Sequence, residues 1–180
     1  MRGSAPGTAL SLAALLLLGA AAGDAEWLER GAAAVAPLKR DLKAALEEAL
    51  ARGGPEQAID VCRLRAPELA ARASTPLVRV GRTSDRLRNP ANAPADWMQP
   101  LLAAYQAAPQ ERAPRVVHLP GGRVGYAEAI TIQPLCLACH GENLAPALRE
   151  RLADRYPEDR AIGYRTGDFR GLFYAEFAKP

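Results

Sequence analysis

Five residues constrain this chain more than any others: Cys136-Leu137-Ala138-Cys139-His140. Two thiols one helical turn apart, followed at once by an imidazole, form the Cys-x-x-Cys-His pattern of c-type haem attachment. The spacing has a chemical reason. On one helical turn both sulfurs face the same side, where they can add to the two vinyl groups of a porphyrin. The adjacent imidazole then lies beneath the iron and supplies an axial nitrogen. A chance match is on the order of one in a thousand for a chain of this length. Two rival uses of the cysteine pair are weaker. A redox-active disulfide of the thioredoxin kind belongs at a strand-to-helix turn in a βαβ setting. A zinc site needs a second ligand pair, and the sequence lacks one.

Haem c is attached outside the cytoplasm, and the N-terminus fits export. Arg2 supplies a positive start, Thr8 to Leu18 is an apolar run, and small residues follow through Gly23 before Asp24-Ala25. This reads as a secretory signal over residues 1–25, with cleavage near Ala22 to Ala25. The run is shorter than the roughly 20 apolar residues of a membrane span. No Cys directly follows it, which argues against a lipid anchor. Residues 26–180 are then a single c-type haem domain, expected to be soluble and periplasmic, with no membrane span in the mature protein. The net charge is only +3, and its densest positive run is Arg79, Arg82, Arg86 and Arg88. No basic stripe suggests nucleic acid as a partner. Aromatics make up 6% of the chain, so Leu, Val, Ile and Ala must carry the core.

Leu28, Val35, Leu38, Leu42, Ala45, Leu46 and Leu50 recur at helical spacing and predict a helix over 26–52. Gly53-Gly54 stops it, and Pro55 opens a second helix with Ala58, Ile59 and Cys62 on one face. Pro67 is expected to begin a further short turn through Ala73. Residues 77–83 alternate as a strand, and the prolines and asparagines of 88–94 mark a loop. Asp96 is the expected N-cap of a helix carrying Trp97, Leu101, Leu102 and Tyr105. Residues 115–119 and 124–132 form a hairpin around Pro120-Gly121-Gly122. A short amphipathic helix at 145–155 and a final strand at 171–177 follow. Hairpin-joined strands mixed with helices predict an α+β domain with an antiparallel sheet.

His140 fills one axial position, and the other decides what the iron can do. His118, Met98 and Cys62 are the main candidates; Lys39, Lys43 and Lys179 are weaker ones. Met98 sits beside Trp97 at apolar helical spacing, which suits packing. His118 lies next to a hairpin, where exposure is common. Cys62 is the cysteine left over once the motif uses the other two, although a buried structural thiol is also common. The residues alone leave the choice open, including a sixth position with no protein ligand.

Several stretches occur in a recognisable order: Ala58-Ile59-Asp60-Val61-Cys62, Arg82-Thr83-Ser84, and Leu87 to Pro94. The haem motif with Gly141, the run Tyr156 to Tyr164, Gly167-Asp168 and Arg170-Gly171 follow. Together they resemble the small periplasmic c-type haem domains of domain-of-unknown-function family 3365, over roughly residues 55–177. The resemblance implies a PAS-like fold, an antiparallel sheet flanked by helices, here with an N-terminal helical segment. It also implies an axial pair of His140 and Cys62. It makes the Arg-Thr-Ser and Arg-Asn-Pro-Ala-Asn stretches pocket walls, and Arg82 or Arg88 suits a haem propionate. Met98 is a departure, since the family pattern has an acidic residue after the Trp.

A thiolate ligand stabilises ferric iron, so the expected potential lies well below that of a His/Met cytochrome. The expected function is single-electron transfer with one covalent haem c, through a redox partner the sequence does not name. The alternative is a redox or gas (NO or CO) sensor read by a partner. No acid–base constellation stands beside the motif, so no enzyme is expected. Export has a direct check: intact mass of protein from the periplasmic fraction should give a chain beginning between residues 23 and 26, plus one haem. A chain retaining Arg2 would contradict the cleaved signal.

Overall fold

The computed structural model describes residues 12–179, with side chains from Gly23 onward. Residues 1–11 of the expected export signal lie outside the described residues, and 12–25 are continuous with the first helix. The elements run α1 (Leu12–Ala73), β1 (Val78–Thr83), α2 (Gln99–Ala107), β2 (Arg115–Leu119), β3 (Arg123–Thr131), α3 (Leu137–His140), α4 (Pro146–Arg155) and β4 (Phe169–Phe177). The four strands form one antiparallel sheet in the order β1-β4-β3-β2. The molecule is α+β, consistent with a PAS-like fold, as the sequence predicts.

The hairpin of β2 and β3 closes through Pro120–Gly122. The last strand is less local: β4 inserts between β1 and β3. This central strand is covered on both faces. Phe173, Ala175 and Phe177 pack with Val35 and Leu38 of α1. Leu172 and Tyr174 pack with Met98, Leu102 and Tyr105 on the other face. The two-residue period of a strand sorts these side chains to opposite sides. Tyr126 and Ala127 of β3 divide between the same two clusters. Helix α1 approaches the sheet closely because residue 31 has no side chain. A Cβ there would overlap ring atoms of Tyr126.

Helix α1 is not straight. Gly53 and Gly54 leave helical geometry, and Gly54 sits at φ 68°, ψ −166°, where side chains other than Gly are strained. The expected break therefore occurs where the sequence places it. Residues 55–73 run on as one helical limb, however, with Pro67 inside it rather than opening a separate turn. Proline removes one N–H from the ladder, but packing of Ala66 and Leu69 in the core keeps the limb whole. Asp96 also differs from expectation. It lies within a 3-10 turn, Asp96–Met98, whose cap residue is Ala95 and makes no side-chain cap bond. Its carboxylate still lies in the first turn, where a negative charge is favoured.

Gly31→Ala tests the helix–sheet approach. Helix propensity alone would favour Ala by about 1 kcal/mol. Tyr126 is 1% exposed and cannot swing aside, so overpacking should dominate. We expect a net loss of about 1–3 kcal/mol in denaturant unfolding. A gain in stability would show that the approach is loose.

Candidate functional site

A cavity of about 940 Å³ lies between the two limbs of α1, strand β1, the end of β3 and the Cys-x-x-Cys-His segment. That is near the upper end of the roughly 300–1,000 Å³ range of ligand sites. Leu38, Leu42, Leu46 and Leu50 line it from the first limb, at spacings of four residues. Ala58, Ile59, Cys62 and Ala66 line it from the second. The Gly53-Gly54 break lets one chain segment supply both of these walls. Arg82, Arg88 and Arg170 also border the cavity, so apolar walls meet a cationic region.

The motif follows β3 directly. A 3-10 turn at Pro134–Cys136 runs into the single helical turn of α3. Cys136 N–H donates to Gln133 O (2.9 Å) and Gly141 N–H to Leu137 O (3.0 Å). Cys136, Cys139 and His140 all border the cavity. The rival disulfide reading lacks its βαβ setting, since every strand pair is antiparallel. No cluster of three or more metal-binding side chains occurs among the described residues.

His140 Nδ1 lies 2.6 Å from Ala161 O. A carbonyl only accepts, so Nδ1 carries the proton and Nε2 keeps its lone pair. Burial, with help from the Arg88 and Arg170 charges, holds the imidazole pKa well below its ordinary value; the Ala161 bond opposes this. The ring is therefore neutral near pH 7, the state a metal ligand needs. Tyr164 stands edge-on to the ring at 6.3 Å between centroids.

The segment 156–164 is laid along the motif. Gly163 N–H donates to Gly141 O (3.0 Å) and Tyr164 N–H to His140 O (2.9 Å). Two arginines from the loop after β1 secure it. Arg86 Nε donates to Arg160 O (3.1 Å), and its guanidinium lies over the Tyr164 ring. Arg88 Nε pairs with Asp159 Oδ2 at 3.0 Å, and Arg88 Nη2 donates to Cys139 O at 2.6 Å.

Cys62 stands on the second limb of α1. That limb is braced on α4 by Ile59, which packs with Leu148, Leu152 and Tyr156, and Cys139 abuts the same cluster. Asp60 adds ion pairs to Arg151 and to Arg155 Nε (3.0 Å). Burial pushes the Cys62 thiol pKa up, while the Arg82 and Arg88 charges pull it down.

The structure thus gathers Cys62, Cys136, Cys139, His140, Arg82 and Arg88 around one cavity. Arg88 is engaged with Asp159 and backbone carbonyls, whereas Arg82 has no hydrogen bond or ion pair among the described residues. Burial lowers the Arg82 pKa, as a charge removed from water requires. Met98 and His118 do not line the cavity. Met98 is buried in the α2 core, and exposed His118 pairs with Asp24 (2.8 Å). Lys39 and Lys43 reach the cavity wall, but Lys39 is paired with Glu128. Sequence reasoning gave Tyr156 and Arg170 no role in the site, although both border the cavity. The Ala161 carbonyl carries no side-chain signal at all.

A family model described as Tll0287-like matches residues 29–177. The chain belongs to the Tll0287-like family. Its structure is also similar to the crystal structure of the cyanobacterial heme-protein Tll0287. The two share 31% identity with a TM-score of 0.51, over 66% of this chain and 71% of that one. No curated protein matches.

In this member of the family, the brace behind Cys62 has an acid limit. The Arg151 hydrogen bond, followed by the Arg151 and Arg155 charges, holds the Asp60 pKa below its ordinary value against some desolvation. A carboxylate lowered in the folded state stabilises fully above its unfolded pKa and loses that contribution as pH falls through the folded one. The stability gap between wild type and Asp60→Asn should therefore be flat from about pH 7 to 5 and close below about pH 4. Urea unfolding across that range checks it; a gap independent of pH would show that the pairs contribute nothing.

Proposed function

We propose that this chain binds one haem c covalently through Cys136 and Cys139, with His140 and Cys62 as axial ligands, and transfers single electrons at low potential. The observation that carries the reading is the His140 imidazole. Its Nδ1 proton is committed to Ala161 O, which leaves Nε2 as a free donor beside a cavity that Cys62, Cys136 and Cys139 also border. A metal-ligating histidine characteristically donates its other nitrogen to such a partner. Leucine walls on one side and arginines on the other match an apolar ring bearing two carboxylates. Arg82, half-buried at the cavity wall and without a hydrogen-bond or ion-pair partner among the described residues, is suited to one of those carboxylates. Similarity to a cyanobacterial heme-protein supports the cofactor class.

When bound, haem c supplies a one-electron ferric/ferrous couple. The protein's part is to choose the ligands and exclude water. An anionic Cys62 sulfur would favour the ferric state, and a neutral His140 would complete the pair. The expected location is the periplasm, reached through cleavage of residues 1–25. No helix among the described residues is long and apolar enough to cross a membrane. A second reading, a redox or gas sensor, draws on the Cys62 thiol itself. Burial favours its protonated form, and a neutral thiol is a poor ligand that can give way to CO or NO.

A pyridine haemochrome assay on protein matured in a haem c-attaching host should give one haem per chain. Cys62→Ser should keep that stoichiometry, lose the wild-type ferric low-spin EPR signal and raise the midpoint potential. An EPR spectrum identical to wild type would exclude Cys62 as ligand. If the ferrous spectrum does not respond to CO or NO, the sensor reading falls and electron transfer stands.

A further inference from the structure

We propose that Arg88 is a positioning residue for His140, acting through the carbonyl they share at Ala161 rather than through a haem propionate. The proposal rests on the haem reading above. Ala161 O accepts from His140 Nδ1 at 2.6 Å and from Arg88 Nη2 at 3.3 Å. The same guanidinium holds Cys139 O at 2.6 Å, one residue before the imidazole, and pairs through Nε with Asp159 at 3.0 Å. Asp159 closes the loop, because its Oδ1 accepts the Ala161 N–H at 2.8 Å. Both backbone groups of Ala161 are thereby fixed, and one planar fork spans the motif backbone and the carbonyl behind the ring. The pair is well enclosed, with side-chain exposures of 14% for Arg88 and 8% for Asp159.

The geometry has an electronic consequence. A carbonyl that already accepts from a cation is a weaker acceptor for the imidazole N–H. The His140 ring then has less imidazolate character and is a weaker donor at Nε2, since partners at the far nitrogen set ligand basicity. Arg88 would thus hold the ring in place while limiting its electron donation. Loss of the fork should strengthen the His140–Ala161 bond, favour the ferric state and lower the potential.

Arg88→Lys separates this role from charge alone. It keeps the positive charge, but an ammonium on a flexible stem does not reproduce the rigid fork. In haem-loaded full-length protein, Arg88→Lys should shift the midpoint potential downward and change the ferric EPR g-value spread. Arg88→Gln should shift it further, because it also removes the charge. A role limited to fold stability would lower the unfolding midpoint and leave potential and g values at wild-type values. A wild-type result for Arg88→Lys, with only Arg88→Gln shifted, would reduce Arg88 to a through-space charge and overturn the proposal. Should both variants fail to incorporate haem, Asp159→Asn carries the test. It weakens the hold on Arg88 at nearly constant volume, but loss of its own negative charge pulls the potential upward, so the readout is the ferric EPR: a changed g-value spread is expected, and wild-type g values overturn the proposal. Absence of haem from the wild type would overturn the haem reading itself, a distinct outcome.

Discussion

The hydrogen bond from His140 Nδ1 to Ala161 O is the contact around which the site is arranged. A single helical turn such as α3 is too short to fix its own orientation, since helix nucleation is unfavourable without outside support. Its support comes from segment 156–164, which pairs with the backbone at His140 and Gly141. That segment has little regular structure and is held in turn by Arg86 and Arg88. The order of dependence runs from the loop after β1, through 156–164, to the imidazole. The Cys-x-x-Cys-His residues border the cavity, but their geometry is imposed by residues about fifty positions upstream and twenty downstream.

The cavity depends on a second arrangement. The first limb of α1 is pinned to the sheet by Val35, Leu38 and the close approach at Gly31. After the Gly53-Gly54 break, the second limb is pinned to α4 by Ile59 and the Asp60 ion pairs. Each limb satisfies its own core, and the leucines and alanines between them face the cavity. The electrostatics point the same way. A half-buried guanidinium is partly desolvated, and Arg82 lines the cavity without a partner among the described residues. An anionic ligand group would offset that desolvation.

Much of the fold was legible from local pattern. The hairpin at Pro120-Gly121-Gly122, the break at Gly53-Gly54 and the strand at 77–83 each have short-range causes, and each forms where expected. Errors came where packing overrode a local rule. Pro67 stays inside a helix because its neighbours are buried in the core, and Asp96 enters a 3-10 turn instead of capping the following helix. The insertion of β4 between β1 and β3 had no local signal, because strand order is set by burial on both faces of that strand.

For the site, the sequence by itself determined which candidate residues are available. Spacing at 136–140 names the motif, and the leftover cysteine names Cys62 as a candidate ligand. Tertiary structure decided which of several candidates share a cavity. It gathers Cys62 with the motif while Met98 enters a different core and His118 remains exposed. It also separated two arginines that look alike in sequence: Arg88 is spent on Asp159 and on carbonyls, and Arg82 is left facing the cavity. The physical reason is that side-chain type and spacing are local properties. The proton on Nδ1, the partner of a guanidinium and the burial of a thiol depend on backbone groups such as Ala161 O, which no side-chain pattern encodes.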